Sequence, residues 1–143
     1  MKKLKRGIKL QENKLHDILF QGIHGRAETL PEERALFLST ISERIYLALT
    51  NKQVIHKGMY PEALEVMRTK KDIHLFINGK LSYHLYSNYL KEASKYRIPF
   101  TVVNDGHDTP IGLVLASQTA VNSGKDYTFF VEDDTFQRDM GKS

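Results

Sequence analysis

The sequence predicts an α/β fold, a mixed β-sheet of about four strands with helices on its faces. Three observations predict it. Between Arg44 and Val131, short apolar runs alternate with amphipathic stretches of helical period. The early runs are closed at once by turn residues, at Gly58, Asn78-Gly79 and Asn104-Asp105-Gly106. The stretches between them are long enough for crossover helices, which implies that part of the sheet is parallel.

Taken in order, residues 1–14 read as a basic tail, 15–131 as a single α/β domain, and 132–143 as a polar, frayed tail. Leu15, Ile18, Leu19 and Ile23 recur at helical spacing and predict a short helix packed on the outside of the body. A long helix is expected from Thr29. Thr29 and Glu32 have capping-box spacing, Pro31 lies in the first turn, and Leu38, Ile41, Ile45, Ala48 and Leu49 mark a buried face. Thr50-Asn51 would end it. Val54 to His56 is read as a first short strand stopped by Gly58. Tyr60-Pro61-Glu62 opens a helix with Tyr60, Ala63, Leu64 and Met67 on one side, and Lys70 and Lys71 oppose the dipole at its end. Ile73 to Ile77 is a strand, Ser82 to Arg97 a helix, and Phe100 to Val103 a strand. Residues 110–117 fit a helix opened by Thr109-Pro110 or a strand alternating Ile111, Leu113 and Leu115, and the two readings stay open. Tyr127 to Val131 is expected as the last strand.

Lys and Arg number 21 against 17 Asp and Glu, a net charge of +4. That bias is mild, and a dedicated duplex-DNA binder is usually more basic. Much of it sits in Lys2, Lys3, Lys5, Arg6 and Lys9, an arm that could meet phosphates but reads first as solvated chain. There is no cysteine, which excludes disulfides, thiolate chemistry and cysteine zinc sites. No apolar run reaches membrane-spanning length, and the basic start is interrupted by Glu12, Asn13 and Lys14 rather than followed by a signal-peptide core. The expected location is the cytoplasm, with no membrane association.

Glu33-Arg34, Phe37-Leu38, the run Glu43-Arg44-Ile45-Tyr46-Leu47-Ala48-Leu49-Thr50, Ile77-Asn78-Gly79, Ile98-Pro99-Phe100-Thr101 and Ile111-Gly112-Leu113-Val114 together resemble the YueI-like family of small bacterial proteins. The similarity covers roughly residues 15–131. The family often has Gly where this chain has Ser39. The resemblance implies a fold like that of the Bacillus-type chorismate mutases, and it implies no particular activity. A more distant similarity is to the kink-turn RNA-binding ribosomal proteins of the archaeal and eukaryotic type. In them a Gly-Asn-Glu at a strand-to-helix junction enters the RNA. The junction matched here is Gly58-Met59-Tyr60-Pro61-Glu62, where the Gly is kept and the Asn and Glu are not. Ile111-Gly112 resembles the Leu-Gly that opens their last short helix.

Candidate site residues follow from the same junction. Read as a strand leading into a helix N-terminus, Lys57-Gly58 would offer free amides to an anion. Lys52, His56 and Lys57 would add positive charge. Asn78 and Lys80, past the next strand, would lie near the same sheet edge, where ligands of open α/β sheets bind. The alternative is that Gly58 serves the turn and the lysines are solvated. Asn104-Asp105-Gly106-His107-Asp108 gathers two carboxylates and an imidazole that could attract a metal, yet its composition is that of a turn and its spacing is not that of an EF-hand or a zincin helix. His56, His74 and His84 come from different elements and are better read as surface or interface residues than as a zinc site. Tyr83, Tyr86, Tyr89 and Tyr96 could stack bases, but helical spacing with leucines between them favours packing, with Tyr83 the one expected outside.

No nucleophile elbow, P-loop or Gly-x-Gly-x-x-Gly is present. No catalytic residue, metal or cofactor is therefore assigned. The leading expectation is a non-enzymatic binding protein with RNA as partner. The alternatives are a protein–protein interaction module, self-associating through sheet edges or the tyrosine helix, and a small-molecule enzyme with a site at a subunit interface.

Overall fold

A computed structural model describes residues 30–125 and 127–139. The basic arm and the helix expected over Leu10–Ile23 lie outside the described residues. The elements are α1 (Leu30–Leu36), a 3-10 turn (Ser42–Arg44), β1 (Ile45–Thr50), α2 (Asn51–Lys57), α3 (Pro61–Thr69), β2 (Ile73–Asn78), α4 (Tyr83–Lys95), β3 (Phe100–Val103), β4 (Ile111–Ser117) and α5 (Asp134–Asp139). The four strands form one mixed sheet in the order β1-β4-β2-β3. β4 runs antiparallel to both neighbours, and β3 is parallel to β2. β1, β2 and β3 thus point the same way and end at one edge.

The predicted class, a mixed sheet flanked by helices, is the observed one, but two of its strands differ from those expected. The long helix from Thr29 to Leu49 is corrected to α1, a turn and β1. Leu38 and Ser39 adopt φ of 56° and 80°, which breaks the helical path. The Ser39 amide then bonds the Arg34 carbonyl at 2.7 Å, and the Arg34 guanidinium bonds the Ser39 carbonyl at 2.8 Å. The expected strand at Val54–His56 lies instead inside α2. Thr50 is not a helix end but the start of that helix. Its hydroxyl accepts from the Gln53 amide at 3.1 Å while the Gln53 side chain accepts from the Thr50 amide at 2.9 Å. This is a reciprocal capping box, which satisfies two otherwise orphaned donors.

The open choice at 110–117 resolves as strand, with every residue of β4 buried. The similarity of Ile111-Gly112 to a helix-opening Leu-Gly is therefore overturned. The strand expected at Tyr127–Val131 is reduced to a single parallel bridge between Ala48 and Phe130. The polar tail expected after Glu132 contains α5, whose Phe136 is buried.

Each sheet face carries its own core. One face packs Leu47, Leu49, Leu75, Ile77, Leu113 and Leu115 against Val54 of α2, Ala63 and Met67 of α3, and Tyr86, Tyr89 and Ala93 of α4. The other packs Ala48, Ile111, Val114 and Ala116 under an aromatic cluster. In it the Phe37 ring meets Tyr127 and Phe129 edge-on at 5.6 Å each, and Phe130 meets Phe136 at 5.2 Å. β1 and β4 contribute to both cores, so they are apolar on both faces, β4 as a central strand and β1, at the sheet's edge, because side chains of both clusters cover it.

Candidate functional site

The edge where β1, β2 and β3 end is built from three asparagines. Asn51 follows β1, Asn78 closes β2 and Asn104 follows β3. Asn78 is buried, and its amide lies within 3.3 Å of the Thr109 carbonyl and the Asn51 side-chain oxygen and 3.1 Å from the Ile111 carbonyl. Its own oxygen accepts the Lys80 amide at 2.9 Å. Asn51 bonds the Thr109 carbonyl through its side chain at 3.0 Å and the Pro110 carbonyl through its amide at 2.8 Å. The Thr109 hydroxyl in turn donates to the Leu36 carbonyl at 2.8 Å. Such a network rigidifies because each buried polar group is satisfied. Gly79 fits here because a Cβ would fall 1.9 Å from the Asn104 side-chain oxygen.

Above this floor lies an exposed rim. Lys52 stands in the first turn of α2 and Lys80 in the turn after β2, both exposed. The Lys80 ammonium is 3.8 Å from the Asp108 carboxylate, with both side chains mostly in water, so the pair is weak. Asp105 accepts the His107 amide at 2.9 Å and lies 3.1 Å from its ring. The His107 backbone and side-chain hydrogen bonds hold the Asp105 carboxyl below its ordinary range. The N-terminus of α4 opens on the same rim. Its cap residue Ser82 makes no side-chain capping bond, and its first turn carries no acid. Tyr83 stands there 65% exposed, edge-on to Tyr86.

The structure separates the six candidate residues into two groups. Lys52, Asn78 and Lys80 share the strand-end rim, since Asn51 and Asn78 touch. His56, Lys57 and Gly58 lie at the far end of α2, roughly 6–9 Å from Lys52 along the helix axis. The premise that Lys57-Gly58 is a strand-to-helix junction is corrected, because it ends a helix, where the dipole is negative. Gly58 has φ of 81° and ψ of −73°, outside the left-handed helical region but still a positive-φ conformation that glycine adopts more easily than other residues. His56 is exposed on α2 and His84 on α4, whereas His74 bonds the Thr101 hydroxyl at 2.8 Å and stacks on Phe76 at 4.5 Å. Among the described residues no group of three His, Asp or Glu could hold a metal ion, and no helix is long and apolar enough to cross a membrane.

A second polar network was missed in the sequence. The Gln53 amide donates to the Val131 carbonyl at 2.7 Å and to Asp133 at 3.0 Å. Asp133 also receives the Tyr60 hydroxyl and the Phe136 amide. The Tyr60 amide bonds the Tyr89 hydroxyl at 2.8 Å. Burial pushes the Tyr89 phenol up to about 12. Burial, then the Asp133 carboxylate, raise the Tyr60 phenol well above its ordinary value. The legible signal was Thr50-x-x-Gln53, which has capping-box spacing.

Residues 12–126 match a family described as a protein of unknown function, DUF1694. The chain belongs to the DUF1694 family. A relative, the uncharacterized protein YueI of Bacillus subtilis (strain 168), is 41% identical over 135 residues, which span 94% of this chain and all of that protein. The crystal structure of the YueI protein from Bacillus subtilis superposes with a TM-score of 0.76 at 37% identity, covering 87% of this chain and 98% of that one. The family resemblance read in the sequence is thereby established, and with it the fold. The family's description assigns no activity.

Proposed function

We propose that this protein is a non-enzymatic RNA-binding module of the cytoplasm, and that it binds single-stranded RNA at the rim where β1, β2 and β3 end. One observation carries the reading. The N-terminus of the 13-residue α4, without a side-chain cap or an acid in its first turn, opens beside Lys80 and the exposed ring of Tyr83. Free helix amides and a lysine suit a phosphate, and an exposed aromatic ring suits a base. Lys52 extends the positive rim. Asn78 serves as its floor rather than as a ligand contact, because its hydrogen bonds are committed within the protein. Asp105 and Asp108 limit the field, so the number of phosphate contacts is small.

Fluorescence anisotropy with single-stranded and hairpin RNA tests this. Two phosphate contacts give a log–log salt slope of roughly −1.4 for single strands. Tyr83→Ala removes a stacking surface worth about 1–3 kcal/mol. Lys52→Glu with Lys80→Glu abolishes the salt-dependent part. Absence of saturable binding at low salt, or unchanged binding by the lysine double variant, rejects the reading.

A further inference from the structure

β3 ends the sheet, and among the described residues its backbone pairs only with β2. The Leu75 amide donates to the Pro99 carbonyl at 2.9 Å and the Gly79 amide to the Val103 carbonyl at 3.0 Å. The residues of β3 that bond β2 are therefore the odd-numbered ones. By strand alternation Phe100 and Val102 aim both their N–H and C=O groups away from the sheet. Proline often blocks an edge, but Pro99 belongs to the inward set, so its missing N–H leaves the outer edge intact. The strand is Phe-Thr-Val-Val, with no charge, and Phe100 is 42% exposed. Natural edges are usually protected by an in-strand charge or a bulge, and this one has neither.

The flanks of β3 are complementary to each other. Lys95 and Arg97 precede the strand, and Asp105 and Asp108 follow it. An antiparallel partner with the same sequence brings the basic flank of one copy to the acidic flank of the other.

We propose that the outer edge of β3 binds a second copy of this chain by antiparallel β3–β3 pairing about a twofold axis at Thr101. In that register the outward groups of Phe100 meet those of Val102 in the second copy, and the reciprocal pair completes the ladder. Phe100 then packs on Val102 of the other copy along the helix-covered face. Thr101 faces its own counterpart. Arg97 of one copy falls beside Asp105 of the other. The contact is isologous, so it closes at a dimer. It is independent of the RNA reading, because it uses none of Lys52, Lys80 or Tyr83.

Sedimentation velocity of the full chain without RNA, from about 1 to about 100 μM, tests the pairing. The expected result is a monomer–dimer equilibrium. Val102→Pro removes one outward donor from each copy and weakens self-association by at least about tenfold, with circular dichroism checking that the fold is kept. Arg97→Asp and Asp105→Arg each weaken the dimer, and the two together restore it. That rescue separates a direct contact from general damage. A protein that stays monomeric at the highest concentration overturns the proposal. A dimer that survives Val102→Pro and ignores the charge swap also overturns it, since another surface then holds the copies together. Lys52→Glu with Lys80→Glu leaves self-association unchanged, so failure of the RNA site and failure of the dimer are read apart.

Discussion

Ser39 holds a φ of 80°, where a side chain costs about 1–2 kcal/mol and glycine costs almost nothing. The YueI-like resemblance, in which Gly often stands at this place, was therefore a statement about backbone geometry. Ser39→Gly relieves the strain and loses the bond from the Ser39 hydroxyl to the Leu38 carbonyl. It also raises the entropy of the unfolded chain. The balance is a gain of about 0.5–1 kcal/mol. Thermal unfolding should rise by about 2–4 °C. A lower midpoint would mean that the hydroxyl contributes more than the strain costs. Asn78 teaches the opposite lesson at the same scale. Its place at the end of a strand marked it as a candidate site residue, and it stands at the edge where β1, β2 and β3 end. Its role as the buried tie among strand ends depends on carbonyls at positions 109 and 111, which sequence distance conceals.

At the scale of elements, the misread segments share one physical cause. Ile45 to Thr50 is buried on both faces, so its apolar run lacks the alternation that marks a half-exposed strand and also satisfies helical spacing. α2 is short and follows β1 without a linker, so Val54 to His56 looked like a strand stopped by glycine. α3, β2 and α4 were legible because each has one buried periodicity and a clear stop, and β3 because Asn104-Asp105-Gly106 closes a short aromatic and β-branched run. α5 was invisible because its attachment is long-range. Asp133 receives the Gln53 amide, the Tyr60 hydroxyl and the Phe136 amide, joining the C-terminal segment to α2 and α3. Asp133→Ala leaves these donors without that acceptor. Partly buried donors left unsatisfied cost about 1–3 kcal/mol each when water cannot replace the acceptor. The expected result is faster hydrogen exchange at residues 134–139 and a lower melting point, with exchange in β2 and β4 changed only through global stability. Exchange at 134–139 that matches the wild type would show that Phe136 alone holds α5.

For the whole molecule, the buried titratable groups set a pH window of stability. His74 is pushed below its ordinary 6.5 by burial. The unfolded chain therefore binds its proton first, and the stability associated with neutral His74 is complete above pH 6.5 and falls as pH drops below it. Tyr89 works in the other direction. Its phenol is raised from 10 to about 12 by burial, so the folded state keeps the proton longer. The corresponding stability is complete below pH 10 and is lost as pH climbs from 10 towards 12, by up to about 2–3 kcal/mol. Tyr60 adds to the same alkaline limb, because burial and Asp133 hold its proton as well. The melting temperature should therefore be flat between about pH 7 and pH 10 and fall on both sides. Tyr89→Phe removes the acceptor of the Tyr60 amide and lowers the plateau, yet it makes the alkaline limb shallower because position 89 no longer ionises. Tyr60→Phe flattens it further and loosens α5. His74→Gln removes its share of the acid limb without touching the alkaline one. Melting curves of these three variants from pH 5 to pH 11 locate the titrating groups. An alkaline limb that stays unchanged in both tyrosine variants would show that neither buried phenol causes it.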